Sequence, residues 1–472
     1  NHNRRELNSE TMIQEELISL IKNKVMDELS KDKGHNEGEL GIFDTVDEAV
    51  SAAKDAQKRL NLLDMEKREI IISTIRETCI NNANHLAALC VEESGMGRVD
   101  DKIAKIILAV KKTPGTEDLI PWAKSGDHGL TLVERGPFGV IASITPVTNP
   151  VATIINNGIG MIAGGNTVVV NPHPRAVQVS IEAIKLINDA IAKAGGPKHL
   201  VCTVKNPTIE TSQQMMQHPN TRMIAATGGP GVVKAALSSG KKAIGAGAGN
   251  PPAVVDETAD IAKAAHDIVL GASFDNNLPC ISEKVVIVVE QAAQKLMDCL
   301  KNENIYILND GEAEAITEKI IVDGGMNKDF VGKDASYILS QIKVMPMSDV
   351  RLLVMPTNKE HPLVYIEQLM PVLPVVTVPD VDAAIDLAVK CEQGNRHTAV
   401  MHSKNVDNMT KYARAIETTV FVKNGPSYAG IGMGGEGFTT FTIAGPTGEG
   451  LTSARTFTRQ RRCTLVDGFR II

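Results

Sequence analysis

Between residues 139 and 246, short apolar runs alternate with longer stretches of helical periodicity. The apolar runs fall at Val140–Ile144, 167–170, 200–204, 222–226 and 242–244, and the helical stretches at 150–162, 176–194, 208–217 and 231–239. This alternation predicts an α/β fold with a mostly parallel sheet covered on both faces, whose ligands bind at the carboxyl ends of the strands. Upstream, 45–59, 65–92 and 98–112 read as helices layered over one side of that sheet. Downstream, a helical stretch at 258–270 leads to the apolar run Val285–Val289, and further runs follow at 305–308, 351–354 and 375–378. Near the amino terminus, Ile13, Leu17, Ile18, Leu20, Ile21, Val25 and Leu29 recur at helical spacing behind a capping box at Thr11 and Gln14. A polar linker with Gly34 and Gly38 follows. A tethered apolar stripe suits docking on a partner, and equally packing on its own domain or a sister subunit.

The segment 136–174 contains no Asp, Glu, Lys or Arg, yet Pro137, Pro146, Pro150 and Pro172 and several asparagines interrupt it. A bilayer span needs about 20 predominantly apolar residues without such breaks, so buried core is expected and no membrane partner. The chain has 472 residues, is 43% hydrophobic and 22% charged, and carries a net charge of −7. Length allows two or three domains, and the acidic balance argues against nucleic acid as a partner. Seven widely spaced cysteines form no C-x-x-C pair. That is a reducing, cytoplasmic pattern, with no disulfide framework and no metal site expected.

Two stretches carry candidate chemistry. Cys280 sits in the polar loop 274–284, between a helical pattern and a buried strand. It is either a packing thiol or a nucleophile exposed at the end of a sheet. Thr227-Gly228-Gly229-Pro230-Gly231 follows a strand and opens a helix, where backbone N–H groups favour an anionic group. Gly158-Ile159-Gly160-Met161-Ile162-Ala163 matches G-x-G-x-x-A but lies inside a helical stretch, so it is set aside.

Several motifs then fall in one order. Thr145-Pro146-Val147-Thr148-Asn149-Pro150, Thr227-Gly228-Gly229, the Gly-rich loop 245–252, Cys280 and Glu367-Gln368-Leu369-Met370-Pro371 resemble the successive motifs of aldehyde dehydrogenases. Asn171-Pro172-His173-Pro174 and the segment 394–405 resemble the CoA-acylating branch, which includes the propionaldehyde and acetaldehyde dehydrogenases of bacterial microcompartments. The resemblance implies a Rossmann-type cofactor domain (40–125 and 137–249), a catalytic domain (250–440) and oligomerisation strands (126–136 and 456–472), preceded by the helix and linker of 1–39. It implies a homodimer or tetramer, with the amino-terminal helix available to shell or cargo proteins of a microcompartment.

The implied activity is oxidation of a short-chain aldehyde to acyl-CoA, with NAD and coenzyme A. By resemblance, Cys280 attacks the aldehyde as a thiolate, and the Asn149 amide and the Cys280 N–H receive the oxyanion. Thr145, Pro146, Asn171, His173, Thr227, Gly228, Gly229 and Glu367 line the cofactor side, with Glu367 on the nicotinamide ribose. His397 and Arg396 are candidates for CoA phosphates or proton transfer, and the loop 425–450 borders the aldehyde pocket. Two positions depart from hydrolytic members. Ala246 stands where they carry a water-activating glutamate, and Asn171 where they usually carry a lysine. Without that glutamate, general-base activation of water is weak, so the acyl group is expected to await a thiol. Alternatives are a glutamyl-phosphate reductase-like enzyme, a CoA-independent aldehyde dehydrogenase, and a scaffold with a dead site.

Overall fold

In a computed structural model, residues 39–346 and 348–472 are described; the expected amphipathic helix and most of the linker lie outside them. The first sheet has six strands, all parallel, in the order Ile42–Phe43, Val201–Val204, Thr167–Asn171, Val140–Ile144, Thr221–Thr227 and Lys242–Ala246. Side chains alternate across it. Val140 and Ala142 pack with Val46, Ala49 and Met215 on one face, and Ile141 packs with Ile155, Ile159 and Ile187 on the other. The helix Pro150–Ala163 is buried along its whole length, which accounts for the charge-free sequence. No helix among the described residues is long and apolar enough to cross a membrane.

The second sheet has seven parallel strands, ordered Ile305–Ile307, Leu352–Thr357, Val372–Val378, Val285–Val289, Pro252–Val255, Thr398–His402 and Val420–Lys423. Ile261–Ser273 and Glu290–Leu300 cover one face, Val381–Glu392 and Val406–Ile416 the other. The chain then returns: Ile431, Phe441, Ile443, Ala454 and Phe457 complete the core under the first sheet.

Two local expectations change. The helical stretch 65–92 is two helices, Met65–Asn81 and Ala83–Ser94, because Asn82 leaves helical geometry and its amide bonds back to the Thr78 carbonyl at 2.8 Å. The strand expected at 126–136 belongs to a hairpin, Trp122–Gly126 and Gly129–Pro137, whose second strand pairs antiparallel with Thr458–Val466 of the same chain. One edge of that tail strand is therefore covered in cis, while its other edge has no neighbouring strand among the described residues.

Chain order reverses at Val140–Ile144, whose neighbours are Thr167–Asn171 on one side and Thr221–Thr227 on the other. A crevice forms at such a reversal, outside the carboxyl ends of the strands. Residues 145–149 leave the central strand at this point, and residues 247–251 run from the edge strand to the amino end of Pro252–Val255 in the second sheet.

Candidate active site

The crevice is a cavity of about 470 Å³. Thr145, Pro146 and Asn149 line it from the central strand end, Asn171 and His173 from the next strand end, and Thr227, Gly228 and Gly229 from the glycine turn. Ala246 lines it from the end of the edge strand, and Cys280, Glu367 and His397 close it from loops of the second sheet. Arg396 does not line it, and pairs with Glu417 at 3.3 Å on the surface.

The Cys280 loop is bent by three successive left-handed residues, Asp275, Asn276 and Asn277, with φ of 47°, 54° and 65°. Asn and Asp tolerate this region because their short side chains bond locally. Here Asn277 Nδ2 donates to the carbonyls of Ala272 (2.7 Å) and Glu283 (3.0 Å). Asn276 Nδ2 donates to the Gly332 carbonyl at 3.0 Å and to Asp334 Oδ1 at 2.8 Å. Buried Lys284 donates to the Asn277 carbonyl (2.7 Å) and to its Oδ1 (2.6 Å). Gly97 must be glycine for the loop to fit, since a Cβ there would lie 2.1 Å from Asp275 Oδ1.

Cys280 is half-buried. Burial, reinforced by the Glu367 carboxylate, pushes its pKa up to about 12, against the pull of Lys284. Burial also raises the Glu367 pKa, while Lys284 and the Gly249 N–H, which donates to Glu367 Oε1 at 3.3 Å, oppose the rise. His397 is buried and neutral at pH 7, driven down to about 4 by burial and by the Lys284 charge. Its Nδ1 pairs with Thr398 Oγ1 at 2.9 Å, and its Nε2 has no partner. Gly249 passes between the two: a Cβ there would lie 2.8 Å from the Cys280 carbonyl oxygen and 2.9 Å from His397 Cγ.

Asn149 occupies the position before the helix Pro150–Ala163 but makes no capping bond. Instead its Oδ1 accepts from Lys105 Nζ at 2.6 Å. Asn171 bonds within the wall, donating to the Thr208 carbonyl at 3.3 Å and accepting from Thr211 Oγ1 at 2.7 Å. The glycine turn opens onto space: a Cβ at Gly229 or Gly231 would meet nothing within 4 Å. Together with the unpartnered buried Thr145 Oγ1 and His397 Nε2, that open cradle fits a dinucleotide or CoA, which would supply the missing partners.

Sequence reasoning missed Leu278, Leu369 and Ile443, which together with the pocket-loop residue Phe441 give the cavity its apolar lining, and Lys105 and Lys284 behind it. Phe441 and Ile443 lie in the loop assigned to the aldehyde pocket, but only the fold shows which of its residues face inward. Lys102 and Lys105 had a legible signal. They lie on the face of Val99–Lys112 that also buries Ile106 and Ala109.

Alkylation requires the thiolate. With a thiol pKa of about 12, iodoacetamide inactivation of the ligand-free protein should be slow at pH 7 and rise roughly tenfold per pH unit through pH 9. A rate that levels off below pH 8 would contradict the burial effect.

Comparison with known proteins agrees with this geometry. Residues 39–315 match the aldehyde dehydrogenase family. The acetaldehyde dehydrogenase (acetylating) of Salmonella typhimurium is 51% identical over 92% of this chain and 94% of its own. A propionaldehyde dehydrogenase from the fucose utilisation microcompartment of Clostridium phytofermentans superposes with a TM-score of 0.91 at 54% identity, covering 92% of this chain and all (100%) of its own. The Rhodopseudomonas palustris propionaldehyde dehydrogenase, solved with bound CoA and an acylated cysteine, superposes with a TM-score of 0.90 at 52% identity, covering 92% and 100%. With its parallel sheets, crevice thiol and ordered motifs, the chain belongs to the aldehyde dehydrogenase family.

Proposed function

We infer that this protein oxidises a short-chain aldehyde, acetaldehyde or propionaldehyde, to the acyl-CoA with NAD and coenzyme A. The observation that carries the reading is the wall around Cys280. Ala246 presents a methyl group where hydrolytic relatives are expected to carry a carboxylate, and Glu367 is the only carboxylate among the residues lining the cavity. Glu367 is engaged by the Gly249 N–H. Water therefore lacks a carboxylate base beside the acylated thiol, whereas CoA, whose thiol is far more acidic than water, needs only the weaker base His397.

In this reading Cys280 Sγ adds to the aldehyde carbon, and the carbonyl electron pair moves onto oxygen. The Asn149 Nδ2 hydrogens and the Cys280 N–H receive that oxyanion, where preplaced donors act without reorganisation. The desolvated Cys280 thiol releases its proton to solvent before it attacks, and the Lys284 and Lys105 charges both favour the thiolate. NAD, when bound, accepts the hydride; Glu367, Thr227, Gly228 and Gly229 would hold it, with Thr145, Pro146, Asn171 and His173 along the adenosine side. The acyl group remains on Cys280 as a thioester. His397 Nε2, neutral and unpartnered, accepts the proton of the CoA thiol. The CoA sulfur attacks the thioester carbon, and Cys280 leaves as the thiolate. The crevice described above reaches Cys280, and dinucleotide and CoA use it in turn.

NAD reduction with acetaldehyde, propionaldehyde and butyraldehyde, with and without CoA, tests the class. Steady turnover should require CoA, and Ala246→Glu should raise CoA-independent NADH formation by about tenfold or more. Turnover of the unaltered protein without CoA would sink the assignment. Cys280→Ala should lose both NADH formation and acyl-CoA reduction while melting at an unchanged temperature. Residues 13–29 would carry the chain to a microcompartment shell. Deleting residues 1–30 should then abolish co-purification with shell proteins and leave kcat unaltered, and retained co-purification would refute the docking role.

A further inference from the structure

Behind Asn149 lies a group of charges whose only part in the reaction above is the field that Lys105 adds at Cys280. Asp275 is fully buried, and Lys102 and Lys105 are each only 3% exposed. Lys102 Nζ donates to Asp275 Oδ2 at 3.0 Å, and Lys105 Nζ donates to the same oxygen. The other Asp275 oxygen accepts from the Arg98 N–H at 2.8 Å. Lys105 spends its remaining donors on the Thr148 carbonyl (3.3 Å) and on Asn149 Oδ1 (2.6 Å). An ammonium has three hydrogens and no acceptor, so Lys105 is fully used, and the Asn149 atom it touches must be the oxygen. That contact decides the amide's orientation: Nδ2 points the other way, with one bond to Thr148 Oγ1 at 3.2 Å.

We propose that Lys105 is a positioning residue for the oxyanion donor, clamping the Asn149 carboxamide with its N–H groups toward Cys280, while Asp275 ties that clamp to the nucleophile's own loop. Two consequences follow from the chemistry. A carboxamide oxygen that accepts from a cation withdraws electrons from its nitrogen, so the Nδ2 hydrogens become stronger donors. Two ammoniums against one carboxylate also leave a surplus buried positive charge, and the charge that develops beside it during the reaction is the oxyanion.

The inference rests on the roles given above to Asn149 and Cys280, and acylation by p-nitrophenyl acetate tests it apart from them. There Cys280 Sγ, its proton released to solvent, bonds to the acetyl carbon; the tetrahedral oxyanion collapses and p-nitrophenolate leaves with the bonding pair. The burst needs no NAD, CoA or aldehyde. Lys105→Met should slow it by roughly 10- to 100-fold, short of or equal to the loss of a whole oxyanion donor, and should lower kcat for the aldehyde with little change in KM. Lys105→Gln, which keeps a neutral donor, should recover part of the loss. In an Asn149→Ala background, Lys105→Met should cost less than about twofold further, because coupled residues do not add. Lys102 stays on Asp275 in either variant, so no carboxylate is left unpaired, and a melting curve checks the fold. A burst within about twofold of the unaltered protein for Lys105→Met, or penalties that multiply independently, would overturn the proposal. A normal burst without CoA-dependent aldehyde oxidation would instead overturn the assigned reaction and leave the clamp standing.

Discussion

The buried carboxylate of Asp275 is where the site is held together. It joins the helix Val99–Lys112, through Lys102 and Lys105, to the loop that carries Cys280. Burial works against this carboxylate, but the two ammoniums beside it outweigh that effect and hold its pKa below the usual range. The cost of burial falls on Lys105, whose pKa is driven down to about 8 against the attraction of Asp275. Such groups are weak evidence for stability, since desolvation offsets most of their attraction. What they supply is direction. A left-handed run of three non-glycine residues has few alternatives once its first member is anchored from both oxygens.

The second constraint is topological. The carboxyl ends of one parallel sheet face a loop that precedes the strands of another, so a thiol and a glycine turn meet although they are distant in sequence. Gly249 lets the connecting backbone pass between Cys280 and His397. The result is a nucleophile kept neutral by burial next to a histidine kept neutral by burial. Neither group is charged at rest, and a proton can move once a substrate brings its own dipole into the crevice.

Much of this architecture could be read from local pattern. Val140–Ile144 and Val285–Val289 begin and end where their apolar runs do, because strands buried on both faces read as near-continuous apolar runs between turn signals. The strand-end motif 145–149 and the turn 227–229 could be placed for the same reason: a strand's end fixes where its loop lies. Three features needed the third dimension. The break at Asn82 depends on an amide bonding back to Thr78 rather than on any breaker residue. The pairing of Thr458–Val466 with Gly129–Pro137 is non-local. Lys105 is a common residue in a helical pattern, and its importance comes from the burial of that face and from what Asn149 presents to it.

The same non-local pairing has a meaning for synthesis. Thr131 and Thr464 bond across a sequence separation of 333 residues, and Phe441, Ile443, Ala454 and Phe457 fill the core beneath the first sheet. Contacts so far apart carry a large loop-closure cost and form late. A nascent chain can lay down the strands from Ile42 to Ala246 yet still expose the apolar patch that these later residues cover. Until translation has passed residue 457 that patch stays open on the amino-terminal half, and a chain ending before that point leaves it uncovered.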